Sequence, residues 1–332
     1  FRKRVLKVLS SYGGKLIELP YAKDISSTIL NKYQNLNFAT PDIRRSALRR
    51  LLESKSFLRF IEAHNPISAL IAENLEIKKS GKKISFDGFW SSSLTDSTSM
   101  GKPDNEYVDN SLRLSSINHI FDVTSKPLIF DADTGGKIEH FEMRIKTIER
   151  AGVSAVIIED KTGLKKNSLL KNTKNQKQED IKIFSKKISL GKKAQASQDF
   201  MIIARIESFI LGKTLNDALK RANAYIESGA DGIMIHSKNK NPKEVFSFAR
   251  AFRKNYKDIP LICVPSTYNQ VREKELINNG FNIVIYANHM LRAAYPAMLD
   301  VASKILKNGR AKEAEKNLFS INNILNLIPG TK

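Results

Sequence analysis

Eight short apolar runs recur along the chain, and segments with helical periodicity separate most of them. Within the runs the apolar residues are continuous rather than alternating, which is typical of parallel strands buried on both faces. The runs cover residues 58–63, 86–91, 127–133, 154–160, 201–207, 232–237, 260–266 and 282–288. Between them, apolar residues at i, i+3 and i+4 predict helices, for example over residues 140–152, 215–230 and 242–256. This alternation predicts an α/β protein with a TIM-type (β/α)8 barrel, and a doubly wound sheet is the alternative.

Most of the runs end in polar side chains of the kinds that bind ligands or take part in chemistry. In a barrel the carboxyl ends of all strands open at one mouth. A single polar strand end is commonly only a turn, but their repetition along one chain predicts an active site at that mouth. These polar ends lie at residues 62–65, 90–92, 131–133, 159–161, 205–207, 236–237 and 288–289.

Three carboxylates, Asp131, Asp133 and Glu159, follow two strands that are neighbours in the predicted barrel. The chain has only one cysteine and five histidines, and no spacing typical of a zinc site. Hard oxygen ligands suit Mg²⁺, which binds one or two carboxylates directly and keeps several waters. The sequence therefore predicts a magnesium site at the mouth.

Arg205 and His236 end the fifth and sixth runs and supply hydrogen-bond donors for an anion. A carboxylate-bound metal together with such donors would neutralise a substrate that carries phosphate or carboxylate groups. The alternative is that Glu159 with Lys161, and Arg205 with Glu207, form ion pairs inside the mouth without a role in chemistry.

The formal net charge of +21 raises the question of a polyanionic partner. The lysines are scattered, however, and no zinc-finger, RNA-recognition or basic-helix motif accompanies them. We therefore expect attraction for small anions and no specific nucleic acid. No run of 18 apolar residues predicts a membrane span. The single cysteine, Cys263, suits a reducing cytoplasm, which is the location we expect.

Residues 161–180 form a long, polar, lysine-rich segment after the fourth run. Long loops at a barrel mouth are more often functional than connecting, so we interpret the segment as a lid. Gly163 could act as its hinge, and Lys165, Asn167 and Ser168 could reach over a bound anion. The alternative is a disordered basic loop.

Seven motifs in this order resemble the phosphoenolpyruvate mutase family, within the isocitrate lyase/phosphoenolpyruvate mutase superfamily. They are WSSSLTDS, DADTGG, IEDKTGLKKNS, ARIES, GADGIMIHS, VPSTYN and YANHMLRA. The resemblance covers about residues 52–328. It implies a Mg²⁺-dependent isomerase that interconverts phosphoenolpyruvate and phosphonopyruvate, forming the C–P bond of phosphonates. The phosphoryl group would pass between an enolate oxygen and a carbon, a transfer that needs positioning and charge stabilisation.

The resemblance also implies roles for the polar strand ends. Asp131 would bind Mg²⁺ directly, with Asp133 and Glu159 holding its waters. Arg205 and His236 would bind the phosphoryl and carboxylate ends of the substrate.

Further residues match the walls and loops of the family's active site. The pyruvate unit would lie against Trp90, Ser92 and Leu94. Asp104 matches a catalytically important aspartate on a mobile loop. The gating loop of the mutases is matched by Lys165, Asn167 and Ser168.

Two sister activities share this superfamily. Its C–C lyases carry a catalytic cysteine in a KKCGH-type segment, where this chain has EDKTGLKKNS, so lyase chemistry is the less favoured alternative. Phosphonopyruvate hydrolase, the main alternative, resembles this chain but has threonine at the position of Asn167. That difference favours the mutase.

The first 45 residues are interpreted separately from the barrel, which we expect over residues 46–332. The segment GGKLIELPYAKDISSTILNK resembles the C-terminal end of a cytidylyltransferase-like domain, so residues 1–45 are predicted to be a remnant of such a domain and a linker. The alternative is that Ser26, Ser27 and Thr28 only cap a helix. Residues 40–54 predict a helix with Pro41 at its first position.

The resemblance further implies a homo-oligomer, a dimer or tetramer, in which C-terminal helices are exchanged between neighbouring barrels. The apolar segment at residues 319–329 could take part in that contact. Packing of this segment on its own barrel is an equally simple alternative.

Overall fold

Eight parallel strands close into a barrel, which confirms the predicted TIM-type (β/α)8 fold. Each strand pairs with the next one along the barrel, and the last pairs with the first through Leu58 and Ile283. The barrel strands are β1 (Leu58–Glu62), β4 (Gly88–Ser91), β5 (Leu128–Asp131), β6 (Ala155–Glu159), β9 (Met201–Ile206), β10 (Gly232–Ile235), β11 (Leu261–Cys263) and β12 (Ile283–Tyr286). Their carboxyl ends therefore share one mouth.

This computed structural model describes residues 39–170 and 176–328. The interpretation of residues 1–38 as part of a nucleotidyltransferase-like remnant lies outside the described residues. Residues 171–175, within the predicted lid, and residues 329–332, which include the end of the predicted C-terminal segment, also lie outside them. The barrel belongs to one compact unit that spans residues 38–332.

Helices follow most barrel strands and pack around the outside. They are α1 (Pro41–Ser54), α2 (Pro66–Asn74), α3 (Ser93–Ser99), α4 (Asn110–Phe121), α5 (Ile138–Arg150), α6 (Ile181–Ala194), α7 (Leu215–Glu227), α8 (Lys243–Asn255), α9 (Glu273–Asn278), α10 (His289–Asn308) and α11 (Ile321–Leu325). A 3₁₀ turn covers Glu315–Asn317. Two small ribbons add β2 (Glu76–Lys79) with β3 (Lys82–Ser85), and β7 (Lys161–Thr162) with β8 (Lys177–Gln178). The predicted helices at residues 140–152, 215–230 and 242–256 correspond to α5, α7 and α8.

The apolar core has two layers, because each buried strand presents one side inward and the other outward. The outer layer joins the strands to the helices, with Phe141, Phe184 and Phe248 among its largest side chains. The inner layer fills the barrel itself, and Leu48 of α1 packs into it. Burying a leucine side chain stabilises a fold by about 2 kcal/mol. Helix α1 therefore closes the amino end of the barrel. The carboxyl end is left for a site.

Helix α10 leaves the barrel instead of packing along it. Glu62, at the end of β1, accepts hydrogen bonds from the backbone N–H groups of Met290 and Leu291 and so caps the helix (3.0 and 3.2 Å). No residue of α10 is buried, and its Tyr295 is 68% exposed. The described part of the segment at residues 319–329 is also exposed, so the alternative in which it packs on its own barrel is not what the structure has. Exchange with a neighbouring chain stays a prediction.

Among the described residues, no helix combines the length and the apolarity that crossing a membrane requires.

Candidate active site

The carboxyl ends of the strands surround a cavity of about 50 Å³. Small-molecule sites commonly enclose about 300 Å³ or more. The cavity is smaller because residues 165–169 lie across the mouth and contribute four of its lining residues, Lys165, Asn167, Ser168 and Leu169. A substrate can enter only if these side chains move.

Most of the predicted site residues come together at this cavity. Its lining includes Trp90, Ser92, Leu94, Asp131, Glu159, Lys165, Asn167, Ser168, Arg205 and His236. The other two, Asp104 and Asp133, do not line it but contact Lys165, which does. Their roles in binding or chemistry stay predictions.

One side of the cavity is acidic. Asp131 accepts hydrogen bonds from the N–H and hydroxyl groups of Ser93 (3.3 and 3.1 Å) and from the N–H of Asp133 (3.1 Å). The backbone of Asp133 is in the left-handed region, with φ of 56°, which turns the chain sharply after β5. Lys165 reaches the same place: its Nζ donates to the Ser93 hydroxyl (2.5 Å), to Asp104 (2.8 Å) and to Asp133.

The surroundings of Asp131 and Asp133 shift the pKa values of the two carboxyl groups in opposite directions. Burial alone would raise the pKa of Asp131, but Lys165 and Arg205 hold that pKa below its ordinary value. Burial raises the pKa of Asp133, and the charge of Asp131 adds to the rise although Lys165 opposes it. One of the two carboxylates is thus well stabilised as an anion, and the other is not.

Arg113 lies behind these carboxylates and was not predicted from the sequence. It is 1% exposed and reaches from α4 into the mouth, where it donates to Asp96 (2.9 Å) and to the backbone oxygen of Asp131. Its guanidinium also stacks over the ring of Phe130, 4.2 Å from the centroid. Arg113 therefore fixes the backbone that carries Asp131.

The acidic side fits a hydrated magnesium ion. No group of three or more Asp, Glu, His or Cys side chains within residues 39–170 and 176–328 is close enough to hold a metal directly. Both oxygens of Glu159 are buried without a hydrogen bond, although Lys161 and Arg205 lie 3.1 and 3.2 Å away. Burial raises the pKa of Glu159 to about 7 despite these cations. One direct carboxylate with outer carboxylates that hold waters is an arrangement that Mg²⁺ accepts.

A basic group adjoins these carboxylates, since Arg205 lies 3.2 Å from Glu159 on the neighbouring strand. The Nε of Arg205 donates to Glu207 (2.6 Å), and its Nη2 lies 2.8 Å from the Ser168 hydroxyl and 2.9 Å from Nδ1 of His236. Burial, and then the charge of Arg205, lower the pKa of His236 below its ordinary value. The ion pairs that formed the alternative interpretation, Lys161 with Glu159 and Arg205 with Glu207, are therefore present, but they lie beside the cavity.

An apolar wall completes the cavity. Trp90, Leu94, Met234, Val264 and Ala287 all contribute to its lining. Trp90 is the only tryptophan of the chain and is 2% exposed. Such a wall excludes water from a small polar substrate and strengthens the electrostatic interactions within the site.

The described part of the predicted lid covers the mouth. Strands β7 and β8 pair Lys161 with Gln178 to form its stem. Gly163 has φ of 80°, in the left-handed region that favours glycine, and open space surrounds it. Beyond it, Asn167 donates to Asp104 (2.8 Å), so the lid and the loop that carries Asp104 are joined.

Several residues of the site could not be identified from the sequence. Ser93 is one of three consecutive serines, and nothing local distinguishes the one that contacts Asp131. Arg113 comes from a helix with little amphipathic pattern, so nothing in its sequence indicates which side chain enters the site. The sequence predicts Glu207 only as a strand end and as an ion-pair partner of Arg205, but it also contacts His236 and Ser168 from two other segments.

Comparisons with known proteins agree with this geometry. The family described as phosphoenolpyruvate phosphomutase matches residues 48–306. Phosphonopyruvate hydrolase from Variovorax sp. (strain Pal2) is 35% identical over 286 residues, which cover 86% of this chain and 94% of that protein. Phosphoenolpyruvate phosphomutase from Tetrahymena pyriformis is 33% identical over 293 residues, 88% of this chain and 93% of that protein.

The similarity extends to the fold of a solved structure. The crystal structure of phosphonopyruvate hydrolase in complex with oxalate and Mg²⁺ has a TM-score of 0.75 and 34% identity, and covers 86% of this chain and 94% of that one.

Proposed function

This chain belongs to the phosphoenolpyruvate phosphomutase family, and from that premise we propose that it interconverts phosphoenolpyruvate and phosphonopyruvate. In this reaction the phosphorus breaks its bond to the enolate oxygen of a pyruvate unit and forms one to its methylene carbon, or the reverse. No water takes part. The enzyme must therefore hold the two halves of the substrate together and keep water away from the phosphoryl group while it is transferred.

The observation that carries the mutase proposal is the position of Asn167. Its side chain lines the cavity, and its amide donates to Asp104 while its carbonyl oxygen accepts from the N–H of Leu169 (3.0 Å). The amide is therefore oriented by contacts on both sides. An oriented amide can direct the phosphoryl group towards the pyruvate unit. Threonine, the residue expected at this position in the hydrolases, cannot make the contacts to Asp104 and Leu169 in the same way.

The basic side of the cavity supports a role in binding the anionic substrate. Arg205 offers a guanidinium, which suits phosphoryl and carboxylate oxygens. His236 with its lowered pKa is a neutral imidazole near neutral pH and can hydrogen-bond without adding charge. We propose that these two residues bind the ends of the substrate, and that Trp90, Ser92 and Leu94 form the wall against which its pyruvate unit lies.

The acidic side supports a dependence on Mg²⁺. Asp131 would bind the ion, while Asp133 and Glu159 would hold its waters. When bound, the ion would supply positive charge that stabilises the enolate oxygen. The hydrolase relative crystallised with Mg²⁺ and oxalate supports this assignment. Lys165 lies against Asp133, so its ammonium adds positive charge beside the proposed metal site.

Hydrolysis of phosphonopyruvate to pyruvate and phosphate is the second candidate. It is favoured by the relative from Variovorax, whose identity of 35% is slightly above the 33% of the Tetrahymena mutase. The two reactions share substrate, metal and most contacts. They differ in whether a water reaches the phosphoryl group.

Replacing Asn167 tests the proposal. Wild-type enzyme and the Asn167→Thr variant are each given phosphonopyruvate and Mg²⁺, and ³¹P NMR measures phosphoenolpyruvate and inorganic phosphate. We expect the variant to form phosphoenolpyruvate more slowly and to release more phosphate. An unchanged product ratio would remove Asn167 from the argument.

We also propose a homo-oligomer, a dimer or tetramer, in which C-terminal helices pack on a neighbouring barrel. The apolar side chains Tyr295, Met298 and Leu299 of α10 are more than half exposed. A groove of about 470 Å³ on the barrel side is lined by Leu75 and Ile77, among others. Exposed apolar faces of this size commonly mark contacts between subunits. Light scattering of the purified protein tests this, and a monomer at micromolar concentration would refute it.

Three further expectations complete the proposal. Residues 1–45 would be a domain remnant and linker that precede the barrel, the enzyme would act in the cytoplasm, and it would bind no specific nucleic acid. The basic composition, +21 overall, would instead raise the local concentration of anionic substrate.

A further inference from the structure

Glu207 joins the basic side of the site to the lid, although it does not line the cavity. It is fully buried at the end of β9. One of its oxygens accepts from Nε of Arg205 (2.6 Å) and lies 3.2 Å from Nδ1 of His236. The other accepts from the hydroxyl of Ser168, in the lid, at 2.5 Å. A single carboxylate therefore contacts both proposed substrate-binding side chains and the covering segment.

The lid hydroxyl that Glu207 accepts from is itself held on every side. Lys161 donates to the Ser168 oxygen at 2.9 Å, and Nη2 of Arg205 donates to it at 2.8 Å. Burial opposes ionisation of Glu207, but the charge of Arg205 keeps the pKa of that carboxyl well below its ordinary value. The contact with Ser168 is thus a charge-assisted hydrogen bond, which is shorter and stronger than a neutral one.

A second buried acid ties the stem of the lid to the same strand end. Asp160 accepts from the backbone N–H of Glu207 (2.9 Å) and from the side-chain amide of Gln178 in β8 (2.8 Å). Tyr225 and Arg221 of α7 also donate to it (2.8 and 3.1 Å). The stem and the covering part of the lid are therefore both anchored at the end of β9, the strand that carries Arg205.

We propose that Glu207 is a positioning residue that latches the lid. Its two oxygens hold Arg205 and Ser168 at the same time, so that closing the lid and orienting Arg205 become one event. Arg205 would then present its guanidinium to an anion only when Ser168 is in place and water is excluded. An opened lid would leave Arg205 held by fewer contacts and free to turn. The catalytic consequence rests on the proposed function, whereas the latch itself does not.

The only tryptophan of the chain makes the latch measurable without substrate. Trp90 lines the cavity beneath the lid and is only 2% exposed, so acrylamide in solution has little access to its ring while the lid is closed. Quenching of its fluorescence by acrylamide therefore reports the open population of the lid. Ser168→Ala removes the latch hydroxyl without disturbing any charge. We expect this variant to raise the quenching constant by about tenfold or more, as loss of one hydrogen bond to a charged group would do.

Glu207→Gln tests the latch from the other side, and Glu149→Gln is its matched control. Glu149 is also a buried glutamate, but it accepts from the N–H groups of Ala196 and Ser197 (2.8 and 2.7 Å) at the amino end of the barrel. We expect Glu207→Gln to raise the quenching constant. Glu149→Gln should lower thermal stability and leave the quenching constant at the wild-type value. Equal quenching in these two variants would mean that Glu207 acts only through stability.

A double-mutant cycle separates the latch from independent effects. If Glu207 and Ser168 act through one contact, the quenching constant of the double variant should be no larger than that of the single variant with the larger effect. Additive effects, or wild-type quenching in Ser168→Ala, would overturn the proposal. Should Glu207→Gln fail to fold, Ser168→Ala alone still decides, because it keeps every buried charge paired.

The catalytic arm uses the same variants with phosphonopyruvate and Mg²⁺. A latch predicts that Ser168→Ala raises KM, because Arg205 is oriented in fewer molecules, and increases the share of inorganic phosphate among the products. If the wild-type enzyme makes only phosphate, the mutase proposal fails while the quenching result still decides the latch. If quenching stays at the wild-type value, the latch fails whatever the products are.

Discussion

A partly buried acid at the closed end of the barrel, Asp231, and a buried acid at its mouth, Glu159, differ in how their oxygens are hydrogen-bonded. At the closed end, Asp231 accepts from the N–H of Ile202 and from Arg49 and Lys192 (2.6–3.0 Å). Glu149 likewise accepts from two backbone N–H groups. At the mouth, both oxygens of Glu159 lack hydrogen bonds and its pKa is raised to about 7.

This difference separates residues that stabilise the fold from residues that await a ligand. A buried carboxylate with backbone donors and cations is satisfied in the folded chain alone. One without hydrogen bonds lowers stability unless a bound group compensates, and such groups concentrate at functional sites. Substitutions of the acids proposed to hold the metal should therefore affect activity much more than stability, and substitution of Asp231 at the closed end the reverse.

The largest effect is expected for Asp131→Ala at the mouth. Without this carboxylate the proposed magnesium ligand is lost, and turnover should fall by about a thousandfold or more, since a metal contributes several kcal/mol to transition-state stabilisation. Steady-state assays with added Mg²⁺ and a thermal denaturation curve measure both sides of the comparison. Retained activity would exclude Asp131 as the metal ligand.

The matched change at the closed end is Asp231→Ala. Removal of this carboxylate leaves Arg49, Lys192 and the Ile202 N–H without their acceptor. The free energy of unfolding should fall by about 1–2 kcal/mol, because the lost contacts are one backbone hydrogen bond and two ion pairs whose partners are partly exposed. Urea denaturation gives this value. If kcat instead falls as strongly as in Asp131→Ala, the two ends are not functionally distinct.

Two glycines with positive φ give a smaller contrast. An added Cβ at Gly152 would lie 2.8 Å from the backbone of Pro41 in α1, whereas at Gly163 in the lid it would meet nothing. Gly152→Ala should lower the melting temperature through both strain and overlap. Gly163→Ala should cost only about 1 kcal/mol of local backbone strain and leave the melting temperature near wild type. Calorimetry of both variants distinguishes them, and equal melting temperatures would contradict the contrast.

The smallest effect is a pH dependence due to His236. Because burial and Arg205 lower its pKa in the folded state, the unfolded state binds more protons just below the ordinary histidine pKa. The contribution of neutral His236 to stability should therefore be present above about pH 6.5 and be lost as the pH falls further. Unfolding measured against pH in wild type and His236→Gln tests this. Identical slopes of the unfolding free energy against pH in the two proteins would contradict a contribution from His236.

The fold could be predicted because its signals are local. Each buried strand is a continuous apolar run, and the polar residue that ends it, such as Asp131 or Glu159, follows directly in the sequence. Barrel closure then brings those ends together without further information. This is why most of the predicted site residues line one cavity.

The contacts between distant segments could not be predicted in this way. Arg113 is 18 positions from the Asp131 oxygen it contacts, and Ser168 is 39 positions from Glu207. Nothing in the periodicity of either segment marks these pairs. The course of α10 is a further example, because nothing in the sequence shows that this long helix has no buried residue in the single chain. A single chain does not contain the surface that would cover it, if the proposed oligomer is correct.

The central claim is that the mouth rearranges phosphonopyruvate instead of hydrolysing it, and ³¹P NMR of the wild-type protein with phosphonopyruvate and Mg²⁺ tests this most directly. Since the equilibrium favours phosphoenolpyruvate, the reaction is followed in that direction. The account predicts that the phosphonopyruvate signal is replaced by that of phosphoenolpyruvate, with inorganic phosphate as a minor product. Stoichiometric release of phosphate, with pyruvate and without phosphoenolpyruvate, would contradict it.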